Sequence, residues 1–411
     1  MLTNTKPNPL RVLHVVGNSR FGGAGWIILG LGRIARAQGW DVDILTTDPV
    51  FARLVQEQGL GLVNLDVVRR EIRPVWDIGG LLRLRDFLRR SNYRIVHTHT
   101  SKGGFVGRLA ASWAEVPVIV HTVHGFAFHE RSSIAALQVY CALERIATRW
   151  CDRIVSVSEF HRRWALELGI CKPREILAIP NGVADCRRIP PDAAADLRRS
   201  LGAGEGDLLL LSMCRLAPDK GLSYLIEAAA RLAGGPRRYR IVIAGEGPEL
   251  ERLERLARSL KVDHSVAFLG FREDIESLLA ACDIVVLPSL REGLSIALLE
   301  AMAAGKPIVA TDIASHREVV SQGDMARIVP AADSKALADA IAGLAGDQAM
   351  MLRLGIAARG IFERHYTEER MLNAYRQLYL ELLEQKCPES AATREPVSPG
   401  PPEGGGVWKE D

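Results

Sequence analysis

No apolar run in this 411-residue chain approaches the length needed to span a bilayer. The opening stretch, MLTNTKPNPLRVLHVV, has no basic leader followed by a long apolar core, so no secretory signal is expected. Nor is there a CxxC pair or a Cys/His cluster at zinc-ligand spacing. The seven cysteines are odd in number and scattered, and read as reduced thiols. These absences point to a cytoplasmic protein, with at most peripheral contact on the inner face of a membrane. A net charge of only +3 argues against a dedicated nucleic-acid binder, and no nucleic-acid partner is expected.

The charge that is present is unevenly spread. Residues 1–183 hold 24 Lys and Arg against 15 Asp and Glu, a net of +9, and the remainder carries −6. A basic N-terminal half suits an anionic partner or surface. Between Arg69 and Arg94 lie eight arginines, including RLRDFLRR, interleaved with Leu81, Leu82, Leu84, Phe87 and Leu88. An amphipathic helix with a solvated basic face is the default reading, and docking to anionic lipid is the alternative.

Short apolar runs alternate with helical patterns along the chain. RVLHVV (11–16), DVDILTT (41–47), RIVHTHT (94–100), PVIVHTVHG (117–125) and DRIVSVS (152–158) read as buried parallel strands. The pattern restarts with LLLLSMC (208–214), RIVIAGEG (240–247), SVAFLG (265–270), DIVVLPS (283–289) and PIVATD (307–312). The expected fold class is therefore α/β, two Rossmann-like doubly wound domains facing a central cleft. Their bounds are 1–183 and 184–365, with Asp185–Gly206 as linker, a helix over 366–387 and a disordered tail over 388–411. Thr367 can cap that last helix, whose Met371, Tyr375, Leu378, Tyr379 and Leu382 share one face.

Three loops stand where such sheets bind ligands. Gly22-Gly23-Ala24-Gly25 lets backbone N–H groups approach a phosphate closely, or simply makes a tight turn; it lacks the third glycine of a dinucleotide fingerprint. CRLAPDKG (214–221) sets Arg215 and Lys220 just past a strand, two cations suited to a diphosphate. In REGLSIALLEAMAAGKP (291–307), Ser295 can cap a helix that Gly305 ends. That places Glu292 in the loop and Glu300 in the second turn of an all-apolar helix, where a carboxylate is costly without a partner. His124 ends its strand at the same sheet edge. His97, His99 and His121 alternate on strands but read as packed histidines, and the DVD of Asp41–Asp43 as an ordinary strand start, so no metal site is expected.

GGAG, HTVHG, IPNGV, RLAPDKG, GEGPEL and EGLSIALLE, in this order, resemble the retaining GT-B glycosyltransferases of family 4 over Arg11–Leu383. HTHTSKGGFVGRLAA is similar to the subgroup that builds exopolysaccharide, capsule or lipopolysaccharide. The resemblance implies a nucleoside diphosphate sugar as co-substrate, no cofactor, no obligatory metal, and a glycan or lipid-linked acceptor. It implies that Arg215 and Lys220 hold the diphosphate, with backbone of Gly293, Leu294 and Ser295 nearby. It further implies Glu300 on the ribose, Glu292 on the donor sugar, Gly22 and Gly23 closing over the donor, and His124 near the transferred sugar. Glu246 matches a position near the nucleotide. It also implies that the last helix packs back on the N-terminal domain. One departure is GGAG followed by Trp26, where GGAE is common. A sugar-nucleotide epimerase or phosphorylase of the same fold, or a two-lobed sugar-binding protein, are the rival readings.

Overall fold

The computed structural model describes residues 10–17, 21–68, 74–126, 133–186 and 189–388. Arg69, Arg70, Arg73 and the tail from residue 389 lie outside them. Two all-parallel sheets divide these residues. The first contains β1 (Arg11–Gly17), β2 (Asp41–Thr46), β3 (Gly61–Val63), β4 (Ile95–His99), β5 (Val118–Val123), β6 (Arg153–Ser156) and β7 (Ile176–Ala178), in the order β3-β2-β1-β4-β5-β6-β7. The second contains β8 (Leu208–Met213), β9 (Tyr239–Ala244), β10 (Val266–Phe268), β11 (Ile284–Leu287), β12 (Ile308–Thr311) and β13 (Arg327–Val329), ordered β10-β9-β8-β11-β12-β13. Every residue of β4, β5, β8, β11 and β12 is buried, as strands covered by helices on both faces must be. In each sheet the order reverses between the first strand and its later neighbour, β1/β4 and β8/β11, which opens a crevice beyond the strands' carboxyl ends.

One expectation changes, and one default reading is kept. Asp185–Gly206 is not mere linker: Pro191–Ser200 is helical, with Pro191 in the first turn, and Leu197 packs against the second core. Leu81, Leu84 and Leu88 of the helix Pro74–Ser91 are buried against Val67, Val68 and Tyr93, so these apolar side chains are committed to the first domain's core. Asp43 pairs with Arg11 and Tyr93 where β2 starts, a structural role.

The C-terminal helix Glu368–Lys386 is capped by Thr367, whose hydroxyl accepts from Arg370 N. It returns to the first domain, burying Met371, Tyr375, Leu378, Tyr379 and Leu382 beside Ile27, Ile28 and Leu31. At about 2 kcal/mol for each large side chain, that face is worth on the order of 10 kcal/mol in gross burial. The two chain crossings between domains touch: Val183 N donates to Tyr366 O at 3.0 Å and Glu368 N to Val183 O at 2.8 Å. Gly182 permits this approach, since a Cβ there would lie 2.2 Å from Thr367 O. A third tie is Glu318, whose carboxylate accepts from Glu159 N and Phe160 N, each at 2.8 Å, at the start of the first domain's helix Glu159–Glu167.

Candidate active site

The carboxyl ends of both sheets face one cleft of about 320 Å³, partly open to solvent. Gly22, Gly23, His124, Arg215, Lys220, Glu292, Gly293, Leu294 and Ser295 all line it. Glu246 and Glu300 line an adjoining compartment that shares Gly22, Gly23, Arg215, Ile296 and Ala297 with the first. Every candidate from the sequence therefore lies on one continuous surface.

The glycine stretch is not a loop. The helix Gly23–Ala37 starts inside it, with Gly22 as N-cap and no side chain capping the first turn. Gly25 N donates to Gly22 O at 2.8 Å, and among the described residues the N–H groups of Gly23 and Ala24 are left for a ligand at the positive end of the helix. A Cβ at Gly23 would lie 2.7 Å from Ile296 Cγ1, so the glycine lets this helix approach the second domain.

Opposite stands the helix Ile296–Ala303, capped by Ser295, whose hydroxyl accepts from Leu298 N at 3.4 Å, and followed by Gly305 at φ 61°. Gly293, in the loop before it, meets the other domain: a Cβ there would lie 1.9 Å from His124 O. Gly293→Ala should therefore hold the cleft partly open. We expect kcat/KM to fall about 30-fold, on the scale of small misplacements at reacting centres, while nucleotide affinity stays within about threefold. Steady-state kinetics beside calorimetric titration check this.

Lys220 and Glu292 reach each other at 2.6 Å although they follow different strands, β8 and β11, which are neighbours in the sheet. Glu292 also accepts from Ser289 Oγ at 2.9 Å. Burial disfavours the Lys220 charge, but Glu292 outweighs it and holds the ammonium above its ordinary value. Arg215 is half-exposed, with Asp219 Oδ1 at 3.7 Å. Its guanidinium is far less committed than the Lys220 ammonium.

Glu300 is only partly exposed and has neither a side-chain hydrogen bond nor an ion pair among the described residues. Burial, reinforced by Glu276, pushes its carboxyl up to about 8. Cys214, near Lys220 and Glu292, is raised to about 12, mainly by burial, and is no nucleophile.

Sequence reading missed two features. Asn181 of IPNGV lines the cleft, donating weakly to Leu294 O at 3.4 Å while its Oδ1 is buried and unpaired. The other is His14, which joins His97 and His99 in a group whose nitrogens fall within 4.8 Å of one another, whereas His121 bonds instead to Thr98. An isolated histidine in an apolar strand gives no signal of such partners. Both nitrogens of His97 are engaged, by Tyr379 Oη at 2.5 Å and Thr122 Oγ1 at 2.7 Å.

Comparison with known proteins agrees with this architecture. Residues 22–182 match the glycosyl transferase 4-like domain, and residues 194–360 match the glycosyl transferases group 1 domain. An Escherichia coli UDP-Gal:alpha-D-GlcNAc-diphosphoundecaprenol alpha-1,3-galactosyltransferase is 34% identical over 249 residues, 59% of this chain and 64% of that protein. Putative glycosyltransferase EpsD of Bacillus subtilis is 29% identical over 83% of this chain and 90% of its own length. Among solved structures, Anabaena HepE in complex with UDP-glucose superposes with a TM-score of 0.80 at 22% identity, covering 90% of this chain and all of that one. WaaG, a glycosyltransferase involved in lipopolysaccharide biosynthesis, gives 0.71 at 18% identity over 89% of this chain and 99% of that one. With both halves matched in order over two facing Rossmann-like domains, the chain belongs to the group 1, 4-like glycosyltransferases of GT-B fold.

Proposed function

We propose that this glycosyltransferase moves a hexosyl group from a uridine or guanosine diphosphate sugar to a glycan or lipid-linked acceptor, in cell-surface polysaccharide synthesis. The observation that carries this reading is the pairing across one cleft of an uncapped glycine helix with Arg215 and Lys220. Those groups supply three kinds of positive potential where a diphosphate would lie. The ribose falls to Glu300, the base to the compartment beside Glu246, and the donor sugar to Glu292 and His124.

As the bond from the sugar's anomeric carbon to phosphate oxygen breaks, its electron pair and a growing negative charge pass to the diphosphate. Arg215, Lys220 and the N–H groups of Leu294 and Ser295 stabilise that charge where it forms. The acceptor oxygen attacks from the face the phosphate leaves, forming the new C–O bond. Its proton passes to the departing phosphate oxygen, so configuration is retained without a covalent sugar–enzyme intermediate. No cofactor or obligatory metal is part of this proposal. A panel of sugar nucleotides, each with and without acceptor extract, tests it. Acceptor-dependent release of a nucleoside diphosphate supports transfer, whereas orthophosphate-dependent release of sugar phosphate or acceptor-independent epimerisation assigns one of the rivals.

Peripheral membrane contact belongs to the same proposal, but on a different helix from the arginine-rich one. Ile134–Thr148 exposes Ile134 (75%), Val139 (58%), Tyr140, Leu143 and Ile146, with Arg145 and Arg149 also exposed. An apolar stripe flanked by arginines suits an anionic bilayer, each cation near such a surface adding about 1 kcal/mol. In sedimentation at low salt, anionic vesicles should carry down the wild type, and the Leu143→Glu/Ile146→Glu variant about tenfold less. Equal recovery with neutral and anionic vesicles refutes the contact.

A further inference from the structure

The cleft continues past the reacting centre into a further compartment of about 430 Å³, within the roughly 300–1,000 Å³ of small-molecule sites. It shares His124, Lys220, Glu292 and Gly293 with the donor cleft, so its occupant lies beside the groups assigned to the transferred sugar. Glu246 and Glu300 line the other adjoining compartment instead.

One wall is aromatic. Phe126, which follows β5, and Phe160, His161 and Trp164 on the helix Glu159–Glu167 all line it. Trp164 is the hub: Phe160 stacks on it at 6.1 Å and 17°, and Phe126 meets it edge-on at 5.7 Å and 77°. Phe126, Phe160 and Trp164 each keep part of their surface exposed. The helix that carries this wall is held from both domains. Ser158 Oγ accepts from His161 N at 3.2 Å, and Glu318 of the second domain accepts from Glu159 N and Phe160 N. The aromatic surface is therefore in place before a ligand arrives.

The facing wall is polar, and its charges are already paired. Lys220 faces Glu292 at 2.6 Å and Arg215 faces Asp219 at 3.7 Å. An anionic occupant would compete with the donor diphosphate for the same two cations, and a hydrocarbon chain would bury all four charges against apolar surface. A pyranose ring suits both walls. Its faces are C–H surfaces that lie against the electron-rich faces of aromatic rings, and its rim of hydroxyls can donate to carboxylates such as Asp219.

We propose that this compartment is the acceptor site, and that the acceptor unit it takes is a neutral pyranose held against the aromatic wall around Trp164. The assignment deepens the proposed transfer reaction and rests on it. The attacking hydroxyl is the one on the rim nearest His124 and Glu292.

Saturation-transfer NMR on the full chain, with uridine or guanosine diphosphate bound, tests the site. The probes are methyl glycosides of glucose, galactose, mannose and N-acetylglucosamine, with glycerol 3-phosphate as the anionic control. At least one glycoside should bind, with transfer strongest at its ring C–H protons, and glycerol 3-phosphate should not displace it. Trp164→Ala should weaken that glycoside about tenfold, the scale of one aromatic contact, and Trp164→Phe should recover most of the loss. Calorimetric affinity for the nucleoside diphosphate should stay at the wild-type value in both variants. Should Trp164→Ala not fold, Phe160→Ala is read in the same way. Binding of no glycoside, undiminished binding by Trp164→Ala, or displacement by glycerol 3-phosphate overturns the proposal. So does a loss of nucleotide affinity in Trp164→Ala, which would put the base on this wall. The glycosides are read without turnover, so failure to transfer sugar from any donor counts against the transferase reading and leaves the pyranose site standing.

Discussion

Lys220→Ala should lower kcat by about 10³-fold, the scale seen when a group stabilising transition-state charge is removed. The ammonium lies where negative charge grows on the diphosphate, and it also neutralises Glu292 at 2.6 Å. Its removal therefore does two kinds of damage. The leaving group loses a cation, and a carboxylate only 13% exposed is left unpaired beside a phosphate site. Nucleotide affinity should fall by about 100-fold as a result. The double variant Lys220→Ala/Glu292→Gln removes the stranded charge, so it should regain about tenfold in affinity while turnover stays low. Calorimetry with nucleoside diphosphate, set beside single-turnover kinetics, separates the two effects. Transfer at the wild-type rate by Lys220→Ala would remove the basis for placing the diphosphate at this pair.

The doubly wound order and the site's chain positions were legible because both rest on local pattern. Long buried strands such as LLLLSM and VIVHTV announce themselves by composition, and Ser295 and Gly305 bound a helix by capping rules that act within a few residues. What escaped notice depends on tertiary pairing. β3, β7 and β13 are three-residue edge strands, too short to show a period, and each is held by one neighbour. The helix Pro191–Ser200 sits in a polar stretch with no buried residue of its own, so its sequence looks like linker. The glycines were placed correctly, but their conformation was not: GGAG opens a helix whose missing side chains serve an interdomain contact. Lys220–Glu292 and the group of His14, His97 and His99 arise only because the strands bearing them are neighbours in a sheet. No spacing in the sequence encodes that adjacency.

Glu300→Gln should weaken binding of nucleoside diphosphate by about 30-fold at pH 8 and yet stabilise the ligand-free protein. Both effects follow from one carboxyl whose value is pushed up to about 8, against 4.5 for an ordinary glutamate, by burial and then by Glu276. Between roughly pH 5 and 8 the folded chain keeps a proton that the unfolded chain has released. Folding therefore loses stability as pH rises through that window, and a neutral glutamine removes the loss. For a carboxyl partly exposed to the cleft the gain should be about 1 kcal/mol, or roughly 2 °C in melting temperature. Nucleotide binding has the opposite dependence. Ribose hydroxyls donate to the ionised carboxylate, so below pH 8 binding must first release the Glu300 proton. Affinity should tighten toward tenfold per unit between pH 7 and 8 and level off above. Working above pH 7 keeps the terminal phosphate of the nucleotide, with its second pKa near about 6, out of the comparison. The glutamine variant should bind with almost no pH dependence in that window. Thermal melts and calorimetric titrations from pH 7 to 9 measure both halves. A wild-type affinity that does not change with pH would separate Glu300 from the ribose, and a destabilised glutamine variant would mean that the carboxylate has a partner in the ligand-free protein.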